Sequence, residues 1–300
     1  MKSLRKLFIA GLGLAIAGTA HAAGGAKHPD GPEGGFPFEG PLGKFEMDSV
    51  QRGFQVYREV CASCHSMKLL SYRNLGEPGG PFYDESYPNP NDNPQVKAIA
   101  AQDMVTDPIP DEFGDPVIRA GRPSDNFVSP FPNEQMARAA NNGAYPPDFS
   151  VIVKARHGGA NYIYNLIKGY PENAWDTELK IEDKENPDHS GTITQPTGQY
   201  YNPYMPGDAT PQWDGDPRHV PYGGFLAMSP QLTPDRVTYL DGTEATVSQM
   251  AYDVAQFLAW ASEPKQTNRK SLGLAVMIYL TILAVLLWFS YKRIWRNVEH

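Results

Sequence analysis

From Leu272 to Tyr291 the chain reads "LGLAVMIYLTILAVLLWFSY", without one charged residue. That length is close to the ~20 residues a membrane-spanning helix needs, and a helix apolar on every face is not the half-buried helix of a globular core. "NRK" at 268–270 precedes the run and Lys292, Arg293 and Arg296 follow it, while Trp288, Tyr291 and Trp295 stand where interfacial aromatics are expected. The pattern predicts a single transmembrane anchor. A shorter apolar run, "LFIAGLGLAIAG", follows Lys2, Arg5 and Lys6 and leads to Ala20-His21-Ala22. A basic start, a short apolar stretch and a small-residue cleavage site predict a signal peptide over 1–22. Export from one end and stop-transfer at the other predict an extracytoplasmic domain over 23–265, a linker and anchor over 266–291, and a cytoplasmic tail over 292–300.

Within the exported body the apolar periodicity is helical where it exists at all. Val50, Phe54 and Tyr57 share a face, and Asp48 with Gln51 three residues on has the form of a capping box opening a helix that runs into Cys61. Asn133 predicts the start of a short helix in "NEQMARAANNG", closed by Gly143. Asp148 predicts another through "FSVIVKAR", and "NYIYNLIKGY" one more after Gly158-Gly159. Thr246 and Gln249 repeat the capping-box form ahead of a stripe of Val247, Met250, Val254, Phe257 and Leu258, which Pro264 ends. Strand signals are few and short. The expected fold class is mainly α with long loops, plus one C-terminal transmembrane helix.

Composition adds two constraints. The 28 Gly and 28 Pro make the body loop-rich, above all over 76–132, yet 16 Tyr, 13 Phe and 5 Trp imply packing around something. Without the three basic residues of the signal, 23 Lys+Arg face 34 Asp+Glu, a net charge of −11. So acidic a body argues against nucleic acid; it suits a basic protein partner, or simply a soluble exported surface.

The two cysteines, both in "VCASCHSM" (60–67), carry the chemistry. Two cysteines make no disulfide framework, and no second Cys/His pair completes a zinc site. A thioredoxin-like site belongs between strand and helix, whereas a helix precedes this one. C-x-x-C-H then reads as a haem c attachment site. Cys61 and Cys64 would add to the haem vinyl groups, and His65 would bind the iron from one face. Met67 stands too near His65 to reach the other face, and Met277 lies in the anchor. Met47, Met104, Met136 and Met250 read as packing residues. Met205 in "YNPYMPGD" and Met228 in "GGFLAMSPQL" remain as second axial ligands, Met228 being favoured because it leads into the closing helix.

With these residues in place, the chain resembles the cytochrome c1 family, the haem subunits of quinol–cytochrome c reductase (cytochrome bc1) complexes. "RGFQVYREVCASCHSM", "YRNL", "ARAANNGAYPPDFSVIVKARHGG", "NPYMPG", "DGTEATVSQMAYDVAQFLAWASEP" and the terminal anchor occur in the family's order. The resemblance implies a c-type cytochrome fold with long loop insertions and one covalently attached haem c. It points to Met228, in the Met-x-Pro segment ahead of "DGT", as the second ligand. It implies that Arg156 in "ARHGG" approaches a haem propionate, and it gives neighbouring His157 only a structural place. Two filled axial positions suit electron transfer, so no catalytic acid or base is expected. The implied partners are cytochrome b, the Rieske iron–sulfur protein and a soluble or membrane-bound cytochrome c, in a dimeric multisubunit complex. The implied location is a bacterial inner membrane, with the haem domain on the periplasmic side of a respiratory or photosynthetic chain. An independent membrane-anchored electron shuttle is the alternative, and a haem enzyme with an exchangeable sixth position a further one. No second cysteine pair, such as some bacterial relatives carry in their loops, is present. The acidic stretch "PENAWDTELKIEDKENPD" could attract cytochrome c or be a solvated loop.

Overall fold

A computed structural model describes residues 25–181 and 190–297. The signal-peptide expectation over 1–22 lies outside the described residues. The chain divides into two compact units: His28–Glu172 with Ala227–His300, and Asn173–Leu226 with the N-terminal residues through Lys27.

The larger unit holds the helices. α1 spans Met47–Val56, α2 Pro94–Ala100, α3 Glu134–Ala140, α4 Gly159–Lys168, α5 Val247–Ser262 and α6 Gln266–Ile294. α1 and α5 cross in close contact, and α4 packs on α5. The crossing depends on Gly53: a Cβ there would run into the Asp253 carbonyl and lie 2.7 Å from the Phe257 Cβ. Around it Val50, Val56, Tyr57, Met250, Val254, Phe257, Leu258 and Trp260 are all but inaccessible. Phe257 meets both Phe54 and Tyr57 with ring centroids 5.6 Å apart.

A buried polar cluster spans the same crossing. Asp253 is fully buried and receives Ser49 Oγ at 2.6 Å. Arg52 grips it through Nε at 3.0 Å and Nη2 at 3.1 Å, and its Nη1 reaches Asp241 at 2.9 Å. Burial opposes the charge on Arg52, but the two carboxylates outweigh it and raise the guanidinium pKa.

The helix starts differ in detail from the sequence pattern. Glu46, not Asp48, occupies the N-cap of α1, with no side-chain cap. Gln51 donates instead to the Pro81 carbonyl, so the capping box does not form. At α5 only half of the box forms: Thr246 Oγ1 accepts from Gln249 N at 3.1 Å, but the Gln249 amide turns to the Asp253 carboxylate. Asn133 caps α3 as expected, accepting from Met136 N at 2.9 Å. The helix expected from Asp148 is absent; 150–157 is a chain of turns. The β-branched run Val151-Ile152-Val153 disfavours helix, and the Asp148 carboxylate is drawn off to Ser66 and Lys68. Conversely, the loop-rich 76–132 region contains α2, where Asn93 caps Gln95 and Val96 and Pro94 takes the first turn.

α6 extends beyond the expected 272–291 span at both ends, has no buried residue, and is long and apolar enough to cross a membrane. Strands are short, as expected. β1 (Met104–Thr106) pairs antiparallel with β2 (Ile118–Ala120) in the larger unit. In the smaller unit β3 (Glu178–Ile181) pairs with β4 (Gly191–Thr194), and β5 (Tyr200–Asn202) with β6 (Gly224–Leu226). Its core is small: Leu179, Ile193, Tyr201 and Ala209, with partly buried Ile181, Trp213, Val220 and Phe225.

Candidate haem site

α1 does not stop before the cysteines; it widens into a π turn over Tyr57–Cys61. The wider spacing shows in Ala62 N, which bonds the Tyr57 carbonyl at 2.8 Å. Such π turns recur at functional sites. The Cys61 carbonyl then accepts from both Cys64 N (3.1 Å) and His65 N (2.9 Å), closing "CASCH" into one fixed turn. Tyr57 Oη adds a bond to the His65 carbonyl at 3.2 Å. Both thiols are free and partly buried. As a free thiol Cys61 is pushed up to about 12, by burial first and by Cys64 second.

His65 is buried, and its ring lies on Phe149 with centroids 3.9 Å and planes 16° apart. Its Nδ1 is 2.8 Å from the Pro147 carbonyl. A carbonyl only accepts, so Nδ1 carries the proton and Nε2 keeps its lone pair. Orienting the second nitrogen in this way is how proteins prepare a metal-binding histidine. Burial lowers the imidazole pKa, with Pro147 and Asp148 opposing, so the ring favours the neutral form that binds metal.

The segment that supplies Pro147 and Phe149 is stitched to the chain after His65. Asp148 accepts from Ser66 Oγ at 2.7 Å and Lys68 N at 3.0 Å; Phe149 N reaches the Ser66 carbonyl at 2.8 Å, and Leu69 N reaches Ser150 Oγ at 3.0 Å. Burial pushes the Asp148 carboxyl up, but its hydrogen bonds with Ser150, Lys68 and Ser66 prevail and hold it below the usual range. Sequence reasoning missed this bracket. Its signal lies in "PPDFS", where Asp148 has the form of a helix start but is a tie to Ser66.

The other candidates are placed as follows. Met67 is fully buried in the core. Met250 is packed as expected, whereas Met104 and Met136 are 59% and 52% exposed rather than packed. Met228 is half-buried in the unit that contains His65, and its carbonyl accepts from Tyr170 Oη at 2.6 Å. Met205 belongs to the other unit. Arg156 is exposed, with Nη1 donating to the Ala155 carbonyl at 3.1 Å. His157 is exposed too. Two thiols and a buried imidazole with Nε2 unprotonated, all in one turn, are the donor set that haem c requires.

A mainly helical domain built on a C-x-x-C-H turn and continued into one membrane-length helix defines the class as a membrane-anchored haem protein of the c-type cytochrome fold. The model of the Cytochrome C1 family matches residues 36–298, and the chain belongs to that family. It is 38% identical to "Cytochrome c1" of Rhodospirillum rubrum, over 99% of this chain and 98% of that one. It is 40% identical to "Cytochrome b-c1 complex catalytic subunit, mitochondrial" of Candida albicans, over 94% of this chain and 83% of the relative. "Cytochrome b/c1" of Bradyrhizobium diazoefficiens is 40% identical over 93% of this chain, which spans only 37% of that longer protein.

Proposed function

We propose that this chain is a membrane-anchored one-electron carrier in a quinol–cytochrome c reductase (cytochrome bc1) complex. It takes electrons from the Rieske iron–sulfur protein and passes them to a soluble or membrane-bound cytochrome c. The observation that carries this reading is the His65 imidazole, buried and fixed through Nδ1 on Pro147, directly after the second of two thiols in one turn. Cys61 and Cys64 would hold one haem c through thioether bonds, His65 Nε2 and Met228 Sδ would ligate its iron, and Arg156 would neutralise a propionate. Bound haem supplies an iron that alternates between ferric and ferrous and so carries a single electron. Pro147 and Phe149 keep the imidazole from turning, and Asp148 keeps Pro147 and Phe149 in place. Ligation by both His65 and Met228 would leave the iron no exchangeable position, which suits electron transfer.

α6 anchors the subunit beside cytochrome b, a partner supported by the "b/c1" and "b-c1 complex" names of two relatives. The N-terminal signal places residues 23–265 on the periplasmic side of a bacterial inner membrane, in a dimeric multisubunit complex. Met228→Leu tests the ligand set. The haem stays attached, while the methionine-to-iron absorption band at the red edge of the spectrum disappears and the reduction potential falls. Met205→Leu leaves both unchanged; the reverse result transfers the axial role to Met205. Co-purification of b-type haem and a Rieske cluster with this c-type haem tests the complex, and a lone c-type haem chain returns the reading to an independent shuttle.

A further inference from the structure

The residue that ties the head of α6 to the body is Lys270, two positions before the apolar run. Its Nζ donates to the carbonyl oxygens of Phe38 (2.6 Å) and Gly40 (2.7 Å). A lysine at the end of a spanning helix ordinarily snorkels to headgroups and water; here it ends on the backbone of a turn. That turn is rigid. Phe36, Phe38 and Phe45 are buried beneath it, with Phe36 stacked on Phe38 at 5.2 Å and Phe38 tilted against Phe45 at 4.9 Å. Lys44 N closes onto the Pro37 carbonyl at 3.0 Å, and a Cβ on Gly43 would collide with the Glu39 carbonyl.

The tip carried by this frame is apolar and open. Pro41 and Lys44 are exposed, and Leu42 is 65% exposed. Its height above the membrane follows from α6. At 1.5 Å of rise per residue, the Lys270 Cα stands about 3 Å above that of Leu272, and the headgroup layer on each side of a bilayer is about 5–7 Å deep. The Lys270 latch therefore keeps the turn within a lysine side chain's reach of headgroup level. We propose that the turn Gly40–Lys44 is a second membrane contact: Pro41 and Leu42 seat in the interfacial layer of the bilayer that α6 crosses, and Lys44 lies among anionic headgroups. Paired with α6, it fixes the tilt of the haem domain over the membrane, which a single spanning helix leaves free. The inference rests on the haem and membrane-span readings above.

The test uses the full haem-loaded chain, one copy per nanodisc of phosphatidylcholine and phosphatidylglycerol, with haem occupying the native thiols. A nitroxide is placed at Leu42→Cys, and its collisions with oxygen, which partitions into lipid, and with a water-soluble nickel chelate are measured. Leu240→Cys, at a site 99% exposed, supplies the aqueous reference and Ala284→Cys the spanning one. The expected result is a severalfold higher oxygen-to-nickel ratio at position 42 than at 240. Lys270→Gln should shift position 42 towards the aqueous value. Aqueous behaviour at 42 with lipid behaviour at 284 overturns the contact alone; aqueous behaviour at 284 overturns the membrane span itself. Shielding from nickel without a gain in oxygen means that the chain itself covers the turn and also overturns the proposal. An unchanged ratio in Lys270→Gln removes the latch from it.

Discussion

At the α1–α5 crossing, Gly53 brings two helices into backbone contact, and an unbroken layer from Val50 to Trp260 closes around it. The smaller unit is held otherwise. Its buried hydrophobic cluster is Leu179, Ile193, Tyr201 and Ala209, and one indole ring packs closely against two neighbouring glycines. A Cβ on Gly191 would come 2.6 Å from the Trp213 indole, and one on Gly215 would overlap it. Trp213 Nε1 reaches the Asp216 carbonyl at 3.0 Å. The crossing spreads its stability over many residues on two helical stripes, and the smaller unit concentrates it in a few close fits. Cys61, Cys64, His65, Met228 and Arg156 all belong to the first kind of structure. A site that must hold an imidazole in one orientation benefits from a frame that no single contact controls.

The most severe test of that contrast is Asp253→Ala, because it attacks the crossing at its one polar concentration. Arg52, Ser49 and Gln249 all lose their acceptor. Removing one partner of a buried ion pair costs about 3–5 kcal/mol. Thermal unfolding followed by circular dichroism and haem absorbance should show both falling together, since the crossing and the haem turn share α1. Loss of helix signal with the haem spectrum intact would break the link between frame and site.

The contrast also accounts for what could be read in the sequence. α1, α4 and α5 announce themselves because a helix against a core repeats its apolar residues at helical spacing, α3 through its Asn133 cap and α6 through an uncharged apolar run of membrane length. "CASCH" is legible because its chemistry is local. What was not legible depends on partners distant in sequence. Asp148 has the form of a helix cap, and only the approach of Ser66 and Lys68 makes it a tie. Asp48 and Gln51 have the form of a capping box until Pro81 arrives to take the Gln51 amide. The strands among the described residues have three or four residues each, too short for alternation to register. Trp213 packed against Gly191 and Gly215 has no periodic signature at all.

A smaller effect is expected at the bracket behind His65. Asp148→Asn keeps the size but weakens three hydrogen bonds to a charged acceptor, costing about 1.5–3 kcal/mol near neutral pH. The sign of the pH dependence follows from the lowered carboxyl. Its contribution is complete above the ordinary value of 3.8 and is lost as the pH falls through the lower folded-state value. The stability gap between wild type and Asp148→Asn should therefore be constant at neutral pH and close in acid. A gap that widens in acid would show that the carboxylate is not the group holding the bracket.

Gly215→Ala should have the smallest consequence for the molecule, and it tests the other side of the comparison. The added methyl would overlap the Trp213 indole, at the edge that Gly191 also crowds, so the ring has to shift to admit it. Overpacking of this kind typically costs about 1–3 kcal/mol. Against a core of four buried hydrophobic residues that is enough to loosen the pairing of β3 with β4, which Trp213 meets through its bridge to Ile193. Limited proteolysis should then cut within 173–226 well before it cuts elsewhere, while the haem absorbance and potential keep their wild-type values. A fall in the potential of Gly215→Ala would mean that the smaller unit supports the iron's ligands, and the division between a distributed frame and a locally fitted insert would have to be abandoned.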